Sequence, residues 1–310
     1  MSAPHESRPS PGTQTPRQAA TAIVMREHEG EVQVLMARRH AALAFMGGMW
    51  VFPGGTLTAA DSDAARGLLA GSDRCSFELH GIDGGTLPRP TSIALAIAAC
   101  RETFEEAGIL LAIRKDGQQP HADQLERLHN ERARLTAAPM RFMAAIANEG
   151  LVLDVEDFVY WSHWITPSGV TSRFDTRFFA TRAPLAHTPV ADTHETSECI
   201  WMSPTRLLDN AAADTMPIAQ PTRYTLEDLR VSLARHGTLD ALLQAERSRR
   251  VAAIVPKLFV EKGRTIVVMP WDPDYDSVPG EGGRPGQYSG QHPGQYYEPA
   301  LLALPSRVER

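Results

Sequence analysis

The sequence predicts an α/β fold, and three observations carry that prediction. Two apolar runs on either side of Glu29-Gly30 are typical of a β-hairpin. A run free of proline and glycine and rich in Ala, Leu, Ile and Glu ends at Gly108, and it predicts a helix. After a second helical stretch, strand-like runs follow at about 158–166, 174–181 and 197–202. With 43% apolar residues, a chain of 310 residues can bury a sizeable core.

The N-terminal part is predicted to be a tail, a hairpin and an irregular segment. Residues 1–18 are rich in Ser, Pro and Thr, so we expect them to be disordered. The hairpin strands ATAIVMRE and EVQVLMARR come next. Residues 57–90 contain glycine and aspartate breaks, so they are expected to hold at most one short helix.

The helix that ends at Gly108 concentrates like charge on one face. Ser92 is the expected N-cap, and Gly108 stands where a glycine usually ends a helix. Glu102, Glu105 and Glu106 lie at positions i, i+3 and i+4, so their side chains share one face. Like charges at this spacing repel by about 0.2–0.5 kcal/mol per exposed pair. The C-terminal end of a helix is also the unfavourable end for anions.

Two interpretations of this acidic face remain open on the triplet alone. The face could be solvated, with Arg101 paired to Glu105 four residues later. Alternatively, the carboxylates bind a divalent cation such as Mg²⁺ or Mn²⁺, both of which prefer oxygen ligands. A bound cation would turn the mutual repulsion into attraction, which explains why the charges are gathered.

The C-terminal half is predicted to hold helices and a tail. Residues 121–148 predict a helical stretch that is broken near Pro139. Three amphipathic helices are predicted within 204–270, which we call the C-terminal annex. Residues 271–310 contain Pro-Gly-Gln-Tyr twice and are predicted to be a disordered low-complexity tail, with a strap that packs on the domain or on a partner as the alternative. Deleting residues 281–310 is therefore expected to leave the melting temperature and turnover nearly unchanged.

Composition excludes several classes of partner. The net charge is −6 and there is no basic stripe, which argues against binding to a nucleic-acid backbone. Cys75, Cys100 and Cys199 form no C-x-x-C pair and no disulfide framework, which fits a reducing compartment. No run has the length of a membrane span, the N-terminus lacks the apolar stretch of a signal peptide, and no terminal S-K-L is present. We therefore expect a cytoplasmic protein without a membrane partner.

Four separated segments resemble the Nudix hydrolase superfamily. RETFEEAGI, residues 101–109, resembles the core of the Nudix box, with Thr103 as the one loose match. WVFPGG resembles the strand and turn that open the same box. WITPSGVTSRFDTRFFAT at 164–181 and HETSECIWMSP at 194–204 resemble later strands of the domain. The resemblance covers about residues 20–205, and we assign 19–203 to it. It implies an α/β/α sandwich around a mixed sheet.

The box departs from the usual pattern in two respects. Gly55 and Arg101 stand 46 positions apart, 32 more than in the usual box, so residues 57–90 form an insert inside it. The glutamate that usually supports the box arginine would fall at position 93, where this chain has Ile93. Both the insert and the motifs are similar to a subgroup that includes peroxisomal coenzyme A diphosphatases.

The resemblance also implies roles for individual residues. Glu102, Glu105 and Glu106 would hold Mg²⁺ or Mn²⁺, together with the backbone carbonyl of Gly55, and Arg101 would orient them. A carboxylate from a later loop often serves as general base in the family. Glu195 and Glu198 are the candidates for that base; the sequence does not separate them, and either could instead be an ordinary charge at a strand edge. Arg38 and Arg39, at the end of the second hairpin strand, could bind substrate phosphates or be exposed surface charges.

The resulting hypothesis is a metal-dependent hydrolase that cleaves the pyrophosphate of a nucleoside diphosphate linked to another group. Coenzyme A or acyl-coenzyme A is the preferred substrate, and ADP-ribose or a dinucleotide is the alternative. A nucleotide-binding module without turnover is the rival from another class. Coenzyme A carries a 3′-phosphate, for which Arg39, Arg74 or Arg89 would supply the extra cation. Whether the annex forms a homodimer is left open.

Overall fold

The computed structural model describes residues 15–65, 69–70, 77–81, 84–184, 188–280 and 299–309. Predictions for residues 1–14, for residues 66–68, 71–76 and 82–83 of the insert, and for residues 281–298 and 310 fall outside these ranges. The described strands, in chain order, are β1 (Arg17–His28), β2 (Glu31–Arg39), β3 (Trp50–Val51), β4 (Gly54–Thr56), β5 (Leu69–Ala70), β6 (Ala112–Arg114), β7 (Leu151–Asp154), β8 (Val159–Ile165), β9 (Phe174–Arg182), β10 (Thr196–Met202), β11 (Ala253–Ile254), β12 (Lys257–Glu261), β13 (Arg264–Val268) and β14 (Arg307–Glu309). The described helices are α1 (Ala59–Ala64), α2 (Arg89–Ala107), α3 (Ala122–Asn130), α4 (Arg132–Thr136), α5 (Pro139–Asn148), α6 (Pro204–Ala212), α7 (Gln220–His236), α8 (Leu239–Glu246) and α9 (Pro299–Leu302). No helix in these ranges combines the length and apolarity needed to cross a bilayer.

The centre of the fold is a mixed sheet with the described strand order β10-β2-β1-β9-β8-β11. β1 pairs antiparallel with β2 as the predicted hairpin, and parallel with β9. The short strands β3 and β4 pair with β2 and β1 respectively. The parallel and antiparallel neighbours of β1 confirm the predicted mixed sheet and the α/β class.

Helices cover both faces of this sheet. Along β1, Ala22 and Val24 enter one buried cluster with α2, whereas Ile23 and Met25 enter a second cluster on the other face, because successive strand residues point to opposite sides. Side chains of α6, α7 and α8 fill that second cluster. The predicted α/β/α sandwich is confirmed, and the annex helices form its second helical layer, since they share the core of the sheet.

The start of α2 differs from the sequence prediction. Ser92 was the expected N-cap, but the helix begins at Arg89 after Pro88, and Ser92 is buried within its first turns. Pro90 does not prevent this, because the first turn of a helix needs no backbone N–H partner.

The start of β1 also differs from the sequence prediction. The strand begins at Arg17, so residues 17 and 18 belong to it and not to the predicted disordered tail. Hydrogen bonding of the Arg17 N–H to the Arg173 carbonyl, 3.0 Å, anchors that start.

The predicted disordered tail is wrong for residues 271–280 and 299–309. β14 pairs antiparallel with β13 in a small sheet with β12. Leu301 is buried in the second core cluster, and Tyr275 is buried in a small cluster of its own. The Arg307 guanidinium donates to both oxygens of Asp272 at 2.8 and 2.9 Å. The expectation that residues 281–310 can be deleted without effect is therefore withdrawn, since these contacts are long-range and invisible to a composition argument.

Candidate active site

Two of the three glutamates at the end of α2, Glu102 and Glu106, lie against the backbone of β4. Gly108 ends the helix with φ 69° and donates its N–H to the Phe104 carbonyl at 2.9 Å, as predicted. The Gly54 N–H donates to Glu106 Oε2 at 3.0 Å. A Cβ on Gly55 would lie 2.3 Å from Glu102 Oε1. Glycine at position 55 thus lets the backbone approach the carboxylate this closely, and a side chain there would displace the end of Glu102.

The acidic face of α2 is buried and is not a solvated surface. The side chains of Glu102 and Glu105 are 12% and 14% exposed, and Glu106 is 2% exposed. Arg101, itself 2% exposed, donates from Nη1 to one oxygen each of Glu102 and Glu105 at 2.9 Å. One buried cation thus stands against one buried and two largely buried carboxylates on this turn.

Burial is the main cause of the perturbed titration of this cluster. It raises the pKa of Glu105 to about 7, although Arg101 opposes the shift. It also raises the pKa of Glu102, and it raises the pKa of Glu106 well above the usual range, with the charge of Glu102 adding to the effect. Such a concentration of unfavourably buried charge is typical of a functional site.

A cavity of about 780 Å³ opens beside the glutamates. All three glutamates line it, together with Gly54 and Gly55. Its apolar wall comes from the β2–β3 loop, the central sheet and the annex, and includes Phe45, Met46, Met49, Trp164, Phe174, Ile218, Leu258 and Met269. The annex therefore forms part of the candidate binding site, which the sequence did not predict.

The structure distinguishes the members of two candidate pairs that the sequence could not distinguish, the arginines 38 and 39 and the glutamates 195 and 198. Arg39 and Glu195 line the cavity, whereas Arg38 and Glu198 are not among the described residues that do so. Arg38 and Glu198 are exposed and lie opposite each other where β2 pairs with β10. Neighbouring residues on a strand point to opposite faces, so Arg38 and Arg39 could not both enter one cavity from β2.

Glu195 is presented by a short loop that Asp192 organises. Asp192 Oδ1 accepts hydrogen bonds from the N–H groups of residues 194, 195 and 196 at 2.8–2.9 Å. The His40 N–H donates to the Glu195 carbonyl at 2.8 Å. The backbone of Glu195 is thereby fixed, and its charge contributes to the raised pKa of Glu102 and Glu106.

Sequence reasoning missed two residues of this region. Asp61, in α1 of the insert, is fully buried and contacts Arg101. The T-x-x-D pattern from Thr58 to Asp61 is a capping-box signal that could have located this helix start. Arg17 lines the cavity and its guanidinium lies 4.8 Å above the Phe174 ring. Of the other cations considered for a 3′-phosphate, Arg89 is exposed and is not among the described lining residues, and Arg74 lies outside the described ranges.

Comparison with known proteins decides the family. The model of the NUDT19 Nudix domain matches residues 11–229, well over half of the chain. The chain belongs to the NUDT19 Nudix domain family. As a Nudix hydrolase it is a pyrophosphohydrolase, so the predicted enzyme class is confirmed.

Related proteins and a solved structure agree with this assignment. An acyl-coenzyme A diphosphatase NUDT19 from Gallus gallus is 30% identical over 79% of this chain and 75% of its own length. The Homo sapiens protein of the same name is 30% identical over 64% of this chain, which spans 60% of that relative. The crystal structure of a Nudix hydrolase from Alicyclobacillus acidocaldarius is 24% identical, with a TM-score of 0.59, over 75% of this chain and 97% of that one. That likeness shows the fold.

Nudix hydrolases generally use divalent cations, and the residues of this site fit such an ion. Glu105 Oε1 is buried without a hydrogen-bond partner among the described residues, and the Gly55 backbone lies against Glu102. In the described ranges, no three His, Cys, Asp or Glu side chains already converge as a metal cage. Arg101 Nη1 instead holds one oxygen each of Glu102 and Glu105. A hard cation that keeps several waters and shares substrate phosphates needs no such closed cage.

The raised pKa values predict how the metal-free protein responds to pH. A carboxyl group whose pKa is raised on folding keeps its proton in the native state and releases it on unfolding, so the free energy of unfolding falls as pH rises from about 4.5 to 7. We expect the melting temperature in EDTA to fall across this window. Glu105→Gln removes the titration of this group, so its melting temperature should fall less steeply.

Calorimetry at several pH values between 4.5 and 8 measures this difference. The exposed Glu126 on α3 offers a matched control, and Glu126→Gln should reproduce the wild-type slope. Parallel curves for wild type and Glu105→Gln would show that Glu105 does not titrate in this window.

Proposed function

We propose that the protein hydrolyses the diphosphate of coenzyme A or acyl-coenzyme A. The observation that carries the proposal is the combined lining of the cavity, in which buried carboxylates and an extended apolar wall bound one space. A nucleoside diphosphate joined to a long, largely apolar arm matches both, because the diphosphate would lie at the carboxylates and the arm along the apolar wall. The volume of about 780 Å³ lies in the range usual for small-molecule sites. The names of the chicken and human relatives support the same substrate class.

Residues of the cavity would bind the cation, orient its ligands and deprotonate the attacking water. Glu102, Glu105, Glu106 and the Gly55 carbonyl would hold Mg²⁺ or Mn²⁺, which neutralises phosphoryl charge and makes water more acidic when bound. Arg101 keeps Glu102 and Glu105 at fixed positions through Nη1. Glu195, on its fixed loop, would take a proton from the attacking water as general base. Water adds to one phosphorus, the P–O–P bridge breaks, and the products are phosphopantetheine or its acyl derivative and adenosine 3′,5′-bisphosphate.

Two arginines of the cavity would divide the phosphate groups between them. Arg39 lies close enough to the cluster for its charge to oppose the raised pKa of Glu106, which suits a partner for the diphosphate. Its Nε also donates to the Phe45 carbonyl at 3.1 Å, which restrains the side chain. Arg17 is the first residue of β1 and lies two residues before Ala19, which pairs with Thr56 of β4. Its guanidinium stacks on the Phe174 ring. We assign the 3′-phosphate to Arg17, which would bind it through a charged, two-pronged contact.

The test compares kcat/KM for acyl-coenzyme A, coenzyme A, dephospho-coenzyme A, ADP-ribose and NADH in the presence of Mg²⁺ or Mn²⁺. We expect coenzyme A to exceed dephospho-coenzyme A by about tenfold, equivalent to about 1.4 kcal/mol of transition-state binding. Arg17→Ala should abolish that preference, and Arg230→Ala, at an exposed arginine on α7, should preserve it. If ADP-ribose were preferred by tenfold, the coenzyme A assignment would fail while the pyrophosphohydrolase class would stand.

The cytoplasmic location stays a prediction, and the choice between Mg²⁺ and Mn²⁺ and the formation of a homodimer through the annex stay open questions. Fractionation of cells, metal titration of activity and light scattering of the purified protein test them in turn.

A further inference from the structure

We propose that Arg132, which lies on α4 outside the box motif, is a positioning residue for Glu195. It ties the loop that carries this glutamate, residues 190–196, to the end of α2, and we call these residues the base loop. The role rests on the proposed function of Glu195 as general base, and it adds the contact that keeps the base at a fixed distance from the cation ligands.

The end of α2 presents backbone carbonyls that need donors. The last four carbonyls of an α-helix have no intrahelical partner. In α2, the first of them, at Phe104, accepts a hydrogen bond from the Gly108 N–H at 2.9 Å. The next three, at Glu105, Glu106 and Ala107, belong to the turn that carries two of the proposed cation ligands. These three carbonyls accept hydrogen bonds from other segments of the chain.

The base loop supplies two of these donors. The Val190 N–H donates to the Ala107 carbonyl at 2.9 Å. Thr196 Oγ1 donates to the Glu106 carbonyl at 2.8 Å. Glu195 lies in the sequence between the two points of attachment, so the place of its carboxylate depends on both.

Arg132 supplies the third donor and joins it to the loop. Its Nη2 donates to the Glu105 carbonyl at 2.8 Å, and its Nη1 donates to the Val190 carbonyl at 2.6 Å. The residue is 8% exposed, so water has little access to compete for these contacts. Because the guanidinium is rigid and planar, it fixes the distance between the two carbonyls.

The two ends of the base loop are held differently. At the C-terminal end, Thr196 begins β10, which pairs with β2 of the central sheet. Hydrogen bonds to Asp192 fix the conformation within the loop but not its place on α2. The N-terminal end is held by the contacts of Val190, and Arg132 is the side chain that makes one of them. Without Arg132, the loop could turn about Thr196 and carry Glu195 away from the cation ligands.

The charge of Arg132 also suits this place. A helix C-terminus carries about half a negative charge, and Glu102, Glu105 and Glu106 add theirs to it. The Arg132 guanidinium contacts a backbone carbonyl of this turn, whereas Arg101 contacts two of its carboxylates. One arginine thus holds side chains of the turn, and the other holds its backbone.

The experiment measures steady-state hydrolysis of coenzyme A by the full-length protein at saturating Mn²⁺, and Mn²⁺ binding by electron paramagnetic resonance without substrate. Arg132→Met keeps an apolar stem and removes the charge and the donors. We expect kcat to fall about tenfold, because misplacement of a reacting group is costly even when the substitution is remote. KM and Mn²⁺ affinity should stay within about threefold of wild type, since Arg101 still holds the cation ligands. Arg134→Met, at an exposed arginine of the same helix, is the matched control and should match wild type within about twofold.

A double-mutant cycle with Glu195→Gln tests whether Arg132 acts through Glu195. Once the base is removed, its position has no effect on turnover, so Arg132→Met should lower kcat in this background by less than about twofold. An equal loss of kcat in both backgrounds would overturn the inference, and so would a wild-type kcat in the folded single variant. A loss of Mn²⁺ affinity as large as the loss of kcat would place Arg132 behind the cation ligands and would also overturn it.

A second variant and a measurement without substrate complete the test. If Arg132→Met does not fold, Arg132→Lys decides, because it keeps the charge but lacks the two-pronged donor. We expect its kcat to fall about threefold, and a wild-type kcat would overturn the inference. Amide hydrogen exchange of residues 190–196 in the metal-free protein should be about tenfold faster in the folded Arg132 variant than in Arg134→Met, and equal rates would overturn the inference. Because exchange needs no substrate, a wild type that hydrolysed none of the tested compounds would refute the proposed function alone.

Discussion

Glu106→Gln is expected to lower kcat by about 10³-fold, which corresponds to about 4 kcal/mol of transition-state stabilisation. Glu106 is 2% exposed, lines the cavity and takes one hydrogen bond from the Gly54 N–H. Glutamine keeps the shape of the side chain but removes its negative charge. The cluster then loses a charged oxygen ligand for a hard cation, and charge stabilisation supplies most of the rate in phosphoryl transfer.

Steady-state hydrolysis of coenzyme A with saturating Mn²⁺ measures this loss. Glu198→Gln is the matched control, because Glu198 is exposed opposite Arg38 and is not among the described residues that line the cavity. Its kcat should stay within twofold of wild type. Similar melting temperatures would show that each variant is folded. A Glu106→Gln enzyme within tenfold of wild type would contradict a metal-binding role for this carboxylate.

Removal of residues 299–310 is expected to lower the melting temperature by about 10 °C. Loss of one buried leucine side chain typically costs about 2–5 kcal/mol, and each kcal/mol is worth about 2–4 °C in a domain of about 200 residues. Leu301 is 5% exposed, so its removal opens the core. Removal of β14 also deprives β13 of one of the two strands with which it pairs. The Tyr224 hydroxyl also donates to the Pro305 carbonyl, and Trp271 Nε1 donates to the Leu304 carbonyl at 3.3 Å.

A matched pair of point variants separates packing from chain length. Leu301→Ala should account for much of the loss, whereas Val260→Ala, at a side chain that is 70% exposed, should change the melting temperature by about 1 °C or less. Calorimetry of the full chain, the truncated chain and both variants makes the comparison. A truncated protein that melts within 2 °C of the full chain would restore the view that this segment is dispensable.

The elements that local pattern predicts well are those with strong periodicity. The hairpin around Glu29-Gly30, the α2 end at Gly108 and the strands near 158–166, 174–181 and 197–202 all follow from side-chain spacing and turn residues. β11, β12, β13 and β14 were missed. They are two to five residues long, too short for a period to stand out, and β14 lies in a segment whose composition suggests a tail. Pairing with a distant partner stabilises such strands.

Local sequence by itself determined the glutamate cluster and the family. Residues at i, i+3 and i+4 of a helix share a face whatever surrounds them, so the spacing of Glu102, Glu105 and Glu106 sufficed to bring them together. The box motif around them, with its later strands, was enough to predict a Nudix hydrolase. These inferences depend on covalent neighbours and on helix geometry.

Tertiary structure alone decided which other side chains join them. It placed Asp61 on Arg101 across 40 residues, brought Arg17 to the cavity, and separated Glu195 from Glu198 and Arg39 from Arg38. It also turned the predicted annex into the second helical layer and one wall of the cavity. Each of these outcomes depends on contacts between distant segments, and on which face of a strand a residue presents once the sheet is assembled. Neither is encoded in the spacing of neighbouring residues, because one step along a strand reverses the direction of the side chain.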